Sequence, residues 1–204
     1  MIAARQKFDG IELADSTSLD PHKWLYLPLD CGCLLYRSPE AARLAFSHTG
    51  VYARALSADP VEGFVFFEES IELSRRFRPL KLRLSLRYHG LAAFLASIPK
   101  GLLQASRLAE AVRNESQLEL MAPGELSAVC FRHRGGGIRT EEELNRLNLA
   151  ILKRIVERGR VYLSNASLRN RFCLMARFVN PRARDADVDC VVPEVLAAAK
   201  LGGA

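Results

Sequence analysis

The sequence predicts an α/β fold, and three observations carry that prediction. The chain has 204 residues, of which 49% are hydrophobic and 25% charged, which is a globular composition with enough apolar surface for one large domain or two small ones. Residues 10–37 form short apolar runs broken by turn residues, which is typical of strands joined by tight connections. Beyond residue 38, helical patterns with recognisable caps alternate with short apolar segments.

The same features exclude other classes of protein. Charged residues or proline interrupt every apolar run well before the roughly 20 residues that a membrane helix needs. The first residues lack the apolar core of a secretory signal, so we expect a cytoplasmic location. The net charge of +6 is compatible with a nucleic acid or an anionic ligand. Because the basic residues are spread along the whole chain, we expect no nucleic-acid partner and no membrane partner.

Five cysteines are scattered widely through the chain, at Cys31, Cys33, Cys130, Cys173 and Cys190. An odd number in a chain of this size predicts reduced thiols. Cys31 and Cys33 could begin a metal site, but no second pair stands at zinc-like spacing. We therefore expect no metal and interpret these cysteines as small hydrophobic residues.

In the first half of the chain, Ser38 and Pro39 predict a capped helix over 39–46. Residues 47–63 have no persistent period and predict a long loop, a kind of segment that is often functional. Leucines at helical spacing predict a long helix over 71–98, with Pro79 as a kink or a fresh start and Pro99 as its end.

The second half predicts a small α/β domain. Thr140 followed by Glu143 is a capping box, which opens a helix that ends at Gly159. The other expected elements are a helix over 102–114, a strand over 126–131, a surface loop over 132–139, strands over 161–163 and 172–179, and a helix over 186–200. We expect two domains, residues 1–95 and 96–204.

The segment 14–37, ADSTSLDPHKWLYLPLDCGCLLYR, is the most informative part of the sequence. It resembles the cofactor-lysine region of the group II pyridoxal-phosphate-dependent amino-acid decarboxylases. The resemblance continues beyond this segment. It rests on DPHKW at 20–24, DCG at 30–32, Tyr52, SRRFRPLKL at 74–82, LRYHG at 86–90 and VCFR at 129–132.

This resemblance implies a fold-type I pyridoxal-phosphate enzyme. Residues 1–95 would form the end of the large cofactor domain, and residues 96–204 the small C-terminal domain. Lys23 would form a Schiff base with pyridoxal 5'-phosphate, and an L-amino acid, by closeness an aromatic one, would be converted to its amine and carbon dioxide. Taken without the family, a lysine in a turn is usually only a solvated side chain.

Two neighbours of Lys23 are implied as cofactor-binding residues. His22 resembles a family residue that hydrogen-bonds the cofactor phosphate, although a turn histidine bonded to the backbone is the alternative. Asp20 stands where relatives carry Asn or Asp near the same phosphate. Since a carboxylate repels a phosphate, Asp20 could instead hold the turn, as Asp before Pro often does.

Tyr52 resembles the mobile-loop tyrosine that protonates the α-carbon in family decarboxylases. Aldehyde-forming relatives tend to carry Phe there, and a phenyl ring cannot deliver a proton. Tyr52 therefore favours simple decarboxylation. The alternative is a loop aromatic that covers an apolar patch.

Each of two basic segments has two possible interpretations. Arg75, Arg76, Arg78 and Lys81 form either a solvated helix face or part of the dimer contact that orders the catalytic loop in relatives. RHRGGGIR at 132–139 suggests an RNA-binding tail, but it is more simply a flexible surface connection.

Family members carry a long N-terminal portion with further cofactor contacts before this region. We therefore expect a homodimer or association with a separate N-terminal chain. The strands of 10–37 would lie in a large parallel sheet, and loss of their neighbours would expose edges that promote association. A split-gene product, a truncated reading frame and a non-catalytic remnant of the fold all remain open, and a nucleic-acid-binding module is suggested by charge alone.

Overall fold

The computed structural model describes residues 5–47, 66–137 and 140–201. It divides the chain into two compact units, Met1–Gly90 and Leu91–Ala204. The predicted α/β class is confirmed, because helices and sheets occur in both units.

The first unit is built around a β-hairpin-like pair of strands. β1 (Ser16–Leu19) and β2 (Cys33–Tyr36) are antiparallel, with Leu19 opposite Cys33. This pairing differs from the expected parallel sheet, because the connection between the strands reverses the chain instead of crossing over. That connection contains α1 (Pro21–Trp24), a single helical turn. α2 (Pro39–Phe46) follows, and the Ser38 side chain caps it as predicted.

The long helical segment α3 (Pro79–Asn114) agrees with the sequence prediction at one of its prolines and differs at the other. It begins at Pro79, the predicted fresh start, although residues 71–78 do not form the expected helix. Gly90 interrupts it with φ 74° and ψ 154°, a conformation that glycine adopts without a Cβ clash. Helical structure then continues through Pro99 to Asn114. The expected end at Pro99 is therefore wrong.

The second unit is a four-stranded antiparallel sheet covered by helices. Its strands are β3 (Leu118–Leu120), β4 (Ala128–His133), β5 (Ser164–Leu168) and β6 (Arg171–Arg177), in the order β3-β4-β6-β5. The helices are the end of α3, α4 (Glu141–Arg158), α5 (Asp185–Asp189) and α6 (Val191–Lys200). The apolar faces of the sheet and of these helices form one buried core, which includes Leu108, Phe131, Ile151, Leu174 and Val195.

Local signals located α4 correctly. Both hydrogen bonds of the capping box between Thr140 and Glu143 are present, and Gly159 ends the helix at φ 65°. Other boundaries moved: the strand expected over 161–163 begins at Ser164, and the last predicted helix is divided at Cys190. β3 was not predicted, because three residues carry too little periodicity to stand out.

The basic segment that begins at Arg132 is not a surface loop at its start. Arg132 and His133 are buried residues of β4. Arg132 forms ion pairs with Glu119 (3.1 Å) and with Glu141. A buried charge is tolerated when it is paired in this way, so Arg132 links β3, β4 and α4.

All five cysteines are free thiols, as predicted, and Cys31 and Cys173 are buried. Over the described residues, no cluster of His, Cys, Asp and Glu has the grouping of a metal site. Within the same part of the chain, none of the helices is both long enough and apolar enough to span a membrane.

Candidate functional site

Lys23 lies in the turn that follows β1. Pro21, at the first turn of α1, is fully buried and fixes the entry of the helix. The backbone N–H of Lys23 donates to the carbonyl oxygen of Asp20 (2.8 Å), and that of Leu27 donates to the carbonyl of Pro21 (3.2 Å). These bonds define the turn while the Lys23 side chain stays exposed, so its amine can be reached by a ligand.

Asp20 binds the Lys23 side chain directly. The Nζ of Lys23 donates to Oδ2 of Asp20, and this hydrogen bond lowers the pKa of the Asp20 carboxyl. Asp20 stands at the N-cap of α1, but its side chain makes no capping bond. Its side chain therefore contacts the lysine and not the backbone of the turn.

His22 is held by the backbone of Cys31. Its Nδ1 lies 2.6 Å from the Cys31 carbonyl oxygen and 3.3 Å from the Cys31 nitrogen. Since a carbonyl oxygen only accepts, the shorter contact places a proton on Nδ1. Nε2 is then the ring position that remains to meet a ligand. The backbone-bonded alternative therefore holds for Nδ1, while the phosphate contact that the resemblance implies stays a prediction for Nε2.

Two basic residues from the predicted basic segment bind the turn at Asp30. Nε of Arg78 lies 2.8 Å from Oδ2 of Asp30, and Nζ of Lys81 lies 2.8 Å from the Asp30 main-chain oxygen. Arg78 also donates to Glu72 (3.0 Å). The hydrogen bond between Arg78 and the Asp30 carboxylate lowers the pKa of that carboxyl. Sequence reasoning missed this cluster, because nothing local relates residue 30 to residue 78.

An open groove of about 620 Å³ lies beside Asp20 on the first unit. Gly32 and Arg75 are among its lining residues. On its wall, the Tyr36 hydroxyl donates to Glu69, and Glu69 also forms an ion pair with Arg43 (3.3 Å).

Of the predicted site residues, Asp20, His22 and Lys23 lie together on one turn. Tyr52 lies outside the described residues.

Comparison with known proteins places these residues in a family. The sequence profile described as "Pyridoxal-dependent decarboxylase conserved domain" matches residues 2–134. An aromatic-L-amino-acid decarboxylase of Bacillus atrophaeus is 34% identical over 192 residues, which is 94% of this chain and 40% of that protein. A phenylacetaldehyde synthase of Petunia hybrida is 34% identical over 163 residues, 77% of this chain and 32% of that protein.

Solved structures give the same result. The Oryza sativa TDC crystallised with PLP and tryptamine has a TM-score of 0.84 and 27% identity, over 97% of this chain and 41% of that chain. The Catharanthus roseus tryptophan decarboxylase in complex with L-tryptophan has a TM-score of 0.80 and 29% identity, over 96% and 40%. The chain spans about two fifths of the length of these relatives. Since the family profile matches well over half of the chain, the chain belongs to the pyridoxal-dependent decarboxylase family.

Proposed function

We propose that this chain provides the cofactor-binding lysine of a pyridoxal-phosphate-dependent decarboxylase that converts an aromatic L-amino acid to its amine and carbon dioxide. The observation that carries the proposal is the exposed amine of Lys23, one residue from His22, in a turn that lies within the family match. The aromatic substrate class is supported by relatives that are named aromatic-L-amino-acid decarboxylase and tryptophan decarboxylase.

The residues of this turn fit pyridoxal phosphate, the cofactor for which the family is named. The accessible amine of Lys23 suits covalent attachment to an aldehyde. The ring of His22, anchored at Nδ1 by Cys31, suits a phosphate oxygen at Nε2 when that nitrogen is protonated. Asp20 does not suit the phosphate, since two anions repel.

Each of these side chains has a separate task in the proposed reaction. When bound, pyridoxal phosphate supplies an electron sink for the α-carbon after carboxylate loss. Lys23 must first leave its ion pair with Asp20 and lose a proton before it is a nucleophile. Because its pKa is lowered, Asp20 remains ionised at neutral pH and is a poor base. We therefore assign Asp20 to holding the amine and not to deprotonating it.

We assign Tyr52 to proton delivery to the α-carbon, on the family resemblance of its loop. The relatives include both decarboxylases and phenylacetaldehyde synthases, so overall similarity does not separate the two products. A phenol can donate a proton and a phenyl ring cannot. Tyr52 thus favours an amine product, with the aldehyde as the competing outcome.

We also propose that the active assembly contains further polypeptide. The relatives are about two and a half to three times as long as the matched region, and a homodimer or a separate N-terminal chain would supply the remaining contacts. The opposing hypothesis is that the chain is a fragment or remnant that keeps this fold and has no catalytic activity.

Borohydride trapping tests the assignment of Lys23. The purified chain is incubated with pyridoxal phosphate, alone and with the N-terminal three fifths of an aromatic-amino-acid decarboxylase, reduced, and digested for mass spectrometry. We expect label on the peptide that contains Lys23, and amine as the product when L-tryptophan is added to the unreduced assembly.

The matched control is Lys7→Ala, which removes another exposed lysine of the same unit. Lys23→Ala should abolish the specific label and Lys7→Ala should retain it. An unlabelled Lys23 in the assembled sample would leave only the non-catalytic hypothesis, and aldehyde in place of amine would contradict the role of Tyr52.

A further inference from the structure

Arg78 and Lys81 converge on one residue of the 28–31 turn. Arg78 binds the Asp30 carboxylate through Nε, while Lys81 binds the main-chain oxygens of Asp30 (2.8 Å) and Pro28 (3.4 Å). One contact fixes the side chain of Asp30 and the others fix its backbone. The turn is therefore held by Arg78, which directly precedes α3, and by Lys81 in the first turn of that helix.

The next residue in the chain connects this turn to the site. Cys31 follows Asp30 directly, is buried, and holds the His22 ring through its main-chain carbonyl oxygen, which accepts from Nδ1. A shift of the Asp30 backbone must therefore move the group that orients the imidazole. The contacts are continuous from Arg78, through Asp30 and Cys31, to Nδ1 of His22.

Arg78 is also suited to this task by its second partner. Its terminal nitrogens donate to both carboxylate oxygens of Glu72 (3.0 and 3.5 Å). These two bonds fix the plane of the guanidinium in the orientation in which Nε contacts Asp30. The Asp30 side chain is 52% exposed, and exposed ion pairs contribute little to global stability. We therefore expect the Arg78–Asp30 ion pair to affect the local geometry of the turn and not the stability of the whole chain.

We propose that Arg78 is a positioning residue which, through Asp30 and the Cys31 backbone, holds the His22 ring in the orientation that receives the phosphate of the cofactor. The proposal rests on the proposed function for the identity of the anion. The effect on the ring itself exists without any cofactor.

The first test follows the His22 ring in the cofactor-free chain. Nitrogen-15 NMR of the full chain labelled at histidine reports which ring nitrogen carries the proton, and His22→Gln assigns the signal among the four histidines. We expect distinct Nδ1 and Nε2 shifts in the wild type. Arg78→Gln should bring the two shifts toward an average, and Arg78→Lys should restore them in part.

The second test compares pyridoxal phosphate with pyridoxal, which lacks the phosphate. Borohydride-trapped label on Lys23 is measured for both compounds with the full chain. In Arg78→Gln, the preference for the phosphorylated compound should fall roughly tenfold, the effect of losing one hydrogen bond to a charged group. In a His22→Gln background, Arg78→Gln should cause no further fall, because both act on one contact.

The control is Arg107→Gln, which removes an exposed two-bond ion pair with Asp189 (2.5 and 2.8 Å) in the second unit. It should change neither readout. If Arg78→Gln lowers the folded fraction seen by circular dichroism, Asp30→Asn, which keeps the shape of the side chain, is measured in its place.

Unchanged His22 shifts in a folded Arg78→Gln or Asp30→Asn chain would overturn the proposal, and so would an unchanged preference between the two compounds. A wild-type chain that captures neither compound, even when assembled with the N-terminal three fifths of a decarboxylase, would defeat the proposed function instead, while the NMR result would still decide whether Arg78 positions the ring.

Discussion

Asn148 shows how a single buried side chain can fix the backbone of a neighbouring strand. It is fully buried in α4, and its Oδ1 accepts from the backbone N–H of His133 (2.8 Å). Its Nδ2 donates to the carbonyl oxygens of His133 (3.0 Å) and Leu144 (2.9 Å). One amide thus satisfies both main-chain groups at the end of β4, where no residue of β6 is paired.

At this scale we predict that Asn148→Ala lowers the free energy of unfolding by about 2–4 kcal/mol, because it leaves buried main-chain groups without these partners. Urea denaturation measures the change. Arg146→Ala, on the exposed side of the same helix, should change stability by no more than about 0.5 kcal/mol. A loss below about 1 kcal/mol in Asn148→Ala would show that water replaces the amide.

At the scale of elements, close packing explains why a glycine stands in the middle of α3. Gly101 is buried, and a Cβ at this position would lie 2.7 Å from the carbonyl oxygen of Phe178. In an exposed helix, Gly→Ala gains about 1 kcal/mol. Here the helix and the chain after β6 are too close for a methyl group, so contact between elements outweighs helix propensity.

We therefore predict that Gly101→Ala destabilises the second unit by about 1–3 kcal/mol, the usual cost of overpacking. Thermal unfolding followed by circular dichroism measures it. Gly32→Ala is the control, since a Cβ there meets nothing within 4 Å, and it should leave the midpoint unchanged or slightly higher. A stabilised Gly101→Ala variant would contradict the close approach.

At the scale of the whole molecule, the chain exposes much apolar surface. Leu80, Leu84 and Tyr88 lie one above another at helical spacing on α3, and all are exposed. Within the described residues, β1 and β2 pair only with each other, so each strand presents one open edge. Surfaces of this kind promote association when nothing covers them.

We expect the isolated chain to self-associate, and Leu84→Lys to raise its monomeric fraction. Leu84 is 58% exposed, so a charged side chain there breaks the apolar stripe without disturbing a core. Sedimentation velocity at a fixed concentration measures the fraction. Arg83→Lys, which keeps the charge of the neighbouring position, should behave like the wild type, and equal association of all three chains would argue against this surface.

Interactions between residues close together in the sequence were enough to predict the ends of some helices. The caps at Ser38, Thr140 and Gly159 were predicted because each rule involves residues within one helical turn. The family was predicted from a resemblance that includes DPHKW at 20–24 and continues to VCFR at 129–132. The same resemblance implied Lys23, His22 and Asp20 as candidate site residues.

Long-range pairing decided the rest. No local rule relates Arg78 to Asp30, buries Arg132 between Glu119 and Glu141, or carries α3 through Pro99. Only the folded chain shows that Asp20 binds Lys23 and that Cys31 holds His22. The sequence by itself determined which chemical groups are present and which turns they occupy. Their partners were decided by tertiary structure, because a hydrogen bond or an ion pair depends on distance in space and not on separation along the chain.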